Sequence, residues 1–162
     1  MLISMSRFEN MPVMSLQTGR ELARISEPII NPHTLQIIAF FLEGRRLDFS
    51  PAVIFASDIR EIGRLGAIVD SSDKIINPDD VVRLKQILDY NFSLMNLKVI
   101  SDDKKRLGRV SEFLLDPSDF MIKQILVKPN LSQRISIAQR TITRQQIQEI
   151  DNKKIVVKLT HI

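Results

Sequence analysis

Apolar residues in this chain fall in short clusters of strand length, separated by turn-forming residues. Residues 35–42, 122–127 and 155–159 are such clusters, rich in Ile, Val, Leu and Phe. Two tetrads punctuate them, Asn31-Pro32-His33-Thr34 and Asp116-Pro117-Ser118-Asp119. Proline presets φ at the second turn position, and the Asn or Asp before it can bond the backbone that follows. Each tetrad therefore predicts a β-hairpin between its flanking apolar clusters. Residues 58–62 and 146–150 each read as one helical turn, with isoleucines at i and i+3. A last strand follows each, at 67–69 and 155–159. One segment carries a full helical signal. Asn77 suits an N-cap, Pro78 the first helical position, and Asp79 and Asp80 the positive end of the macrodipole. Val81, Leu84, Ile87 and Leu88 then form an apolar stripe. The pattern predicts a helix over about 77–91, serving as a connector packed on its neighbours or as a docking face.

The pattern also repeats. Leu22, Arg24, Ser26, Glu27 and Pro32 recur as Leu107, Arg109, Ser111, Glu112 and Pro117, at an offset of 85. Ile25, Ile29, Ile30 and Asn31 match Val110, Leu114, Leu115 and Asp116 conservatively. Beyond an expected three-residue insertion in or near residues 128–134, the offset becomes 88, pairing Ile54, Ile59, Glu61, Ile62 and Val69 with Ile142, Ile147, Glu149, Ile150 and Val157. Such self-similarity marks a duplicated unit. Each copy has about five strands and one helical turn, and only a strongly bent or closed sheet of that size hides its edges.

Charge divides the copies. Residues 1–80 carry a net charge of −3 and residues 81–162 carry +7, within a total of +4. The two copies are therefore expected to face different partners, the basic one attracting acidic protein or nucleic acid. A merely solvated basic surface is the plainer explanation. Without cysteine there is no disulfide framework and no thiolate metal site. No apolar stretch approaches the ~18 residues of a membrane span, and no signal peptide is expected, so a cytoplasmic protein is predicted.

One stretch resembles a known family: Leu97-Lys-Val-Ile-Ser-Asp-Asp-Lys-Lys-Arg-Leu-Gly-Arg-Val-Ser-Glu-Phe-Leu-Leu-Asp-Pro117, followed by Ile122-Lys-Gln-Ile-Leu-Val127. Strand, polar turn, Leu-Gly-x-Val step, acidic residue, apolar pair and Asp-Pro form the pattern of the PRC-barrel family. That small β-barrel occurs in the photosynthetic reaction centre H subunit and at the C-terminus of a ribosome maturation factor. The first copy departs from the pattern, with Ala23 in place of Gly108, Pro28 of Phe113 and Asn31 of Asp116, while Gly19 supplies a turn glycine that the second copy lacks. The resemblance implies a mainly β chain of two tandem small PRC-like β-barrels, at 11–76 and 93–162, joined by an α-helix at 77–92. It also implies an assembly or interaction module. The membrane anchor of the first relative and the N-terminal domain of the second are not visible here.

Candidate chemistry is sparse. His33 and His161 belong to no metal-spaced cluster, Gly63-Arg-Leu-Gly66 reads as a loop before a strand, and no nucleophilic triad is apparent. No enzyme, cofactor or metal is expected. Asp102-Asp103 reads as a hairpin cap that tempers the cations after it. Lys104, Lys105, Arg106 and Arg109 cluster at one hairpin of the second copy and are the candidate partner-binding residues. Lys123, Lys128, Arg134, Arg140 and Arg144 extend the patch. Phe113 and Phe120 read as core, so aromatic stacking platforms are lacking. The repeated Arg24 and Arg109, three residues before Glu27 and Glu112, suggest a structural ion pair. The leading expectation is a non-catalytic scaffold binding a protein partner. RNA or ribosome association through the basic copy is the alternative, and a small-molecule pocket or self-association stays open.

Overall fold

The computed structural model describes residues 1–129 and 139–159. The expected insertion near residues 128–134 lies largely outside them, as do Arg134 and His161. The chain forms β1 (Ile3–Ser4), β2 (Pro12–Ser15), β3 (Glu21–Asn31), β4 (Gln36–Glu43), β5 (Ala52–Phe55), β6 (Glu61–Gly63) and β7 (Gly66–Val69). The helix α1 (Val82–Asp89) follows. Then come β8 (Lys98–Ser101), β9 (Arg106–Asp116), β10 (Met121–Lys128), β11 (Arg140–Thr143), β12 (Ile147–Ile150) and β13 (Lys154–Val157). The protein is thus mainly β, and no helix among the described residues is long and apolar enough to cross a membrane.

Two compact units divide the chain. The N-terminal unit holds Ser6–Asn31 and Gln36–Tyr90; the C-terminal unit holds Met1–Met5, Pro32–Leu35 and Asn91–Ile162. Strand order in the N-terminal unit is β6-β7-β2-β3-β4-β5. In the C-terminal unit it is β12-β13-β8-β9-β10-β11, with β1 also on β9. In each unit one pair is parallel, β2 with β7 and β8 with β13, and the other pairs are antiparallel. The predicted hairpins form at both Pro-containing tetrads, as β3–β4 and β9–β10. Leu35 and Phe120 close them at positive φ, 57° each, and both are buried.

The sheets are open rather than closed barrels: no ladder joins β5 to β6 or β11 to β12. The residues that would close them form single 3-10 turns, Ala56–Asp58 and Arg144–Gln146, whose backbone groups bond locally. Both sheets are nonetheless strongly rolled. Edge strands of a flat six-stranded sheet lie about 24 Å apart. Six residue steps from Phe55 to Glu61 reach at most about 20 Å, and a 3-10 turn shortens that further.

These turns come two residues earlier than expected, and Ile62, Ile147 and Ile150 lie on strands instead. The i, i+3 isoleucines fit a strand with a register shift as well as a helix, and β12–β13 has such a shift. In the second turn Gln146 Oε1 accepts from Thr143 N at 2.9 Å, a local signal for the true start. The helix is also shorter than predicted. Asn77 does cap, its side chain accepting from Asp79 N at 3.0 Å, but Pro78–Asp80 form a 3-10 turn before α1 begins. Leu84 packs with Ile29, Ala39 and Val53, so α1 belongs to the N-terminal unit's core. Elsewhere that core centres on Phe8 and Phe40, whose rings stack at 5.5 Å. Val99, Val110, Phe113, Ile125, Ile142 and Ile155 fill its counterpart.

Candidate functional site

Hydrogen bonds align the two units more fully than the sequence does. Asn10 and Asn96 take left-handed backbone, φ 62° and 67°, just before β2 and β8. Their amides donate to Ile25 O and Val110 O, each at 2.8 Å. Leu16 N to Val69 O and Asp102 N to Val157 O, also 2.8 Å each, tie the first and last long strands of each unit. Here the offset is 86, because the β2–β3 turn is one residue longer than the β8–β9 turn. Asparagine tolerates this conformation better than most residues. Its exposed carbonyl then needs a donor. Arg24 Nη1 lies 3.2 Å from Asn10 O, and Arg109 Nη1 lies 3.0 Å from Asn96 O. The repeated arginine therefore latches the strand entry, and the expected pairing with Glu27 and Glu112 does not occur. Arg24 pairs with Glu21 instead, at 2.9 Å. Glu112 turns back beside a register shift in β9–β10 and accepts from Phe113 N at 3.0 Å.

The four candidate cations occupy the β8–β9 hairpin. Lys104 sits in its turn at φ 68°, where Gly19 has 71° in the other unit. Lys105 lies 3.7 Å from Asp103, which also accepts from Ser101 Oγ. The hydroxyl and, secondarily, Lys105 hold the Asp103 carboxyl below its usual pKa. Arg106 opens β9 opposite Ile100, and Arg109 lies three residues on. All four are exposed.

The ladder then brings Arg109 beside Lys128, already named as an extension of the patch, and beside two cations the sequence did not single out. Across β8 its partner is Lys98; across β10 its partner is Lys128. Lys98 in turn pairs with Lys154 on β13. Lys154, Lys98, Arg109 and Lys128 thus form one lateral row over four adjacent strands, spanning about 14 Å. All four are exposed, while the next residues inward, Ile155, Val99, Val110 and Val127, are buried. Of the suggested extension, Lys128 joins the row, whereas Arg140 pairs with buried Val127 and so lies at the edge of the opposite face, partly buried. Lys123 is engaged with Asp119 at 3.4 Å, and Arg144 is half-buried in its 3-10 turn. The nearby carboxylates serve turns. Asp151 Oδ1 accepts from Lys153 N and Lys154 N, at 2.8 and 2.9 Å, and these amides lower its pKa. Asp116 is lowered by the Ser118 hydroxyl and amide.

The equivalent positions in the N-terminal unit are Pro12, Arg24 and Glu43, paired across the same strands, with Gly66 one residue before the first β2–β7 pair. Their formal charges cancel. The hairpin equivalents Arg20 and Glu21 also cancel, whereas Lys105 and Arg106 add. In the N-terminal unit this region is an open cleft of about 540 Å³ lined by both signs, including Arg20, Glu21, Glu43, Arg45 and Arg46. Among the described residues, no three His, Asp or Glu side chains converge as a metal site would require. In comparisons with protein-family models and with curated proteins, nothing matches this chain.

Proposed function

We propose that this protein is a non-catalytic interaction module of two PRC-like rolled β units, the C-terminal one recruiting an anionic macromolecular partner on its outer face. One observation carries the reading. The two units share strand order, latching arginine and turn hydrogen bonds, yet equivalent outward positions are charge-balanced in one and uniformly cationic in the other. A fold needs no such row, because like charges directly opposite each other across strands are destabilising. The PRC-like assignment rests on the sequence stretch from Leu97 to Pro117 and on the rolled six-stranded order. Proteins co-purifying with the intact chain provide the test. The triple variant with Lys104, Lys105 and Arg106 changed to Glu, which leaves the Arg109 latch to Asn96 O in place, is expected to lose the main partner while keeping its thermal midpoint near that of the parent. An unchanged partner profile would refute the assignment.

A further inference from the structure

Four cations in a single file select among anionic partners. We infer that the row Lys154, Lys98, Arg109 and Lys128 binds the phosphodiester backbone of nucleic acid without reading its bases. This deepens the proposed function and rests on the C-terminal unit being its interaction surface.

The row runs perpendicular to the strands on the exposed face of the sheet, with Lys104, Lys105 and Arg106 beyond it towards the tip of the β8–β9 hairpin. A linear polyanion matches that shape, whereas a membrane surface would engage a two-dimensional array and reward apolar side chains reaching into it. Protein interfaces concentrate their affinity in buried aromatic and apolar anchors. Among the described residues of the C-terminal unit, the large hydrophobics that stand exposed are Met1 and Met95, and neither lies on these strands. Phe113 and Phe120 are buried, and Phe92, partly exposed, lies outside these strands, so among the described residues the row offers bases no aromatic stacking platform. What is left is charge at regular spacing, suited to phosphates. The Arg109 latch to Asn96 O holds the guanidinium in place at 3.0 Å while leaving its charge on the outer face.

Fluorescence anisotropy with a labelled RNA duplex, the matching DNA duplex and a single strand tests this. Neutralising four duplex phosphates gives a slope of log K against log salt of about −3.6, a loss of about 10²-fold between roughly 50 and 200 mM salt. Lys98→Gln and Lys128→Gln are each expected to flatten that slope by about 0.9 for every base sequence tried. Lys85→Gln on α1 is expected to change nothing. Because each row substitution relieves like-charge crowding, the thermal midpoint should stay or rise, which separates lost binding from lost folding. Binding to RNA and DNA duplexes alike supports the inference, as does a preference for either. A salt-insensitive signal, or tighter capture by polyglutamate or by anionic vesicles, overturns it. If co-purification still depends on the hairpin cations after nuclease treatment while duplexes do not bind, the inference fails and the broader reading survives.

Discussion

At the scale of single residues, the duplication is maintained by exchange across strands as well as by identity. Gly108 has φ +135°, and a Cβ there would sit 1.8 Å from Lys128 O and 2.9 Å from Pro129 Cα. The matching position in the N-terminal unit is Ala23. There the glycine stands instead just past the end of the opposite strand β4, as Gly44, where an added Cβ would meet Ala23 Cα at 3.3 Å. The close approach of the two strands is kept, and which strand surrenders its side chain differs. Gly108→Ala is therefore expected to cost about 3 kcal/mol, combining left-handed strain with a clash against backbone. Ala23→Gly should cost only about 1 kcal/mol, the entropy of added chain freedom. Denaturant midpoints of the two variants check the pair, and equal losses would contradict the exchange. This difference was visible in the sequence as an Ala–Gly mismatch. Its compensation was not, because Gly44 and Ala23 meet through strand pairing.

At the scale of elements, local chemistry was legible and tertiary choice was not. The hairpins follow from Asn31-Pro32 and Asp116-Pro117, since turn residues act on their own neighbours. The helix was legible for the same reason, through Asn77, Pro78 and the stripe. Its first turn became 3-10, and the stripe packs as expected, Leu84 fully buried and Val81, Ile87 and Leu88 partly buried against the same core. Leu84 is 1% exposed against Ile29, Ala39 and Val53, whereas Val82 is 73% exposed. Leu84→Ala should lose about 3 kcal/mol, lowering the thermal midpoint by about 6–12 °C for a chain of this size. Val82→Ala should leave it nearly unchanged. Equal effects would mean that α1 is not part of the core. The 3-10 turns were misplaced because an isoleucine pair at i, i+3 does not separate a helical turn from a shifted strand; the Thr143–Gln146 contact was the better guide.

At the scale of the whole molecule, the sequence showed a charge difference without showing its shape. Lys98 and Lys154 are far apart in the chain and meet only through the parallel β8–β13 pair. A non-local pairing of that kind leaves no local sequence signal, so the hairpin cations were found and half of the row was missed. If function lies in the charge pattern carried by a common frame, the pattern should be transferable. The double variant Glu21→Arg and Glu43→Lys gives the N-terminal unit the signs of Lys105, Arg106, Arg109 and Lys128, since Arg20 and Arg24 are already basic. It removes the Arg24–Glu21 pair, whose side chains are 44% exposed each, so the stability lost is at most about 1 kcal/mol. Duplex nucleic acid titrated against this variant is expected to saturate at a higher stoichiometry than with the parent chain, with the same steep dependence on salt. Unchanged stoichiometry in a folded variant would mean that the cations act only in their own setting, with Lys98 and Lys154 beside them. A lysine at Gly66 cannot complete that setting, because a Cβ there would lie 2.2 Å from Pro12 O. The N-terminal unit is thus sterically barred from the full row at its β7 position.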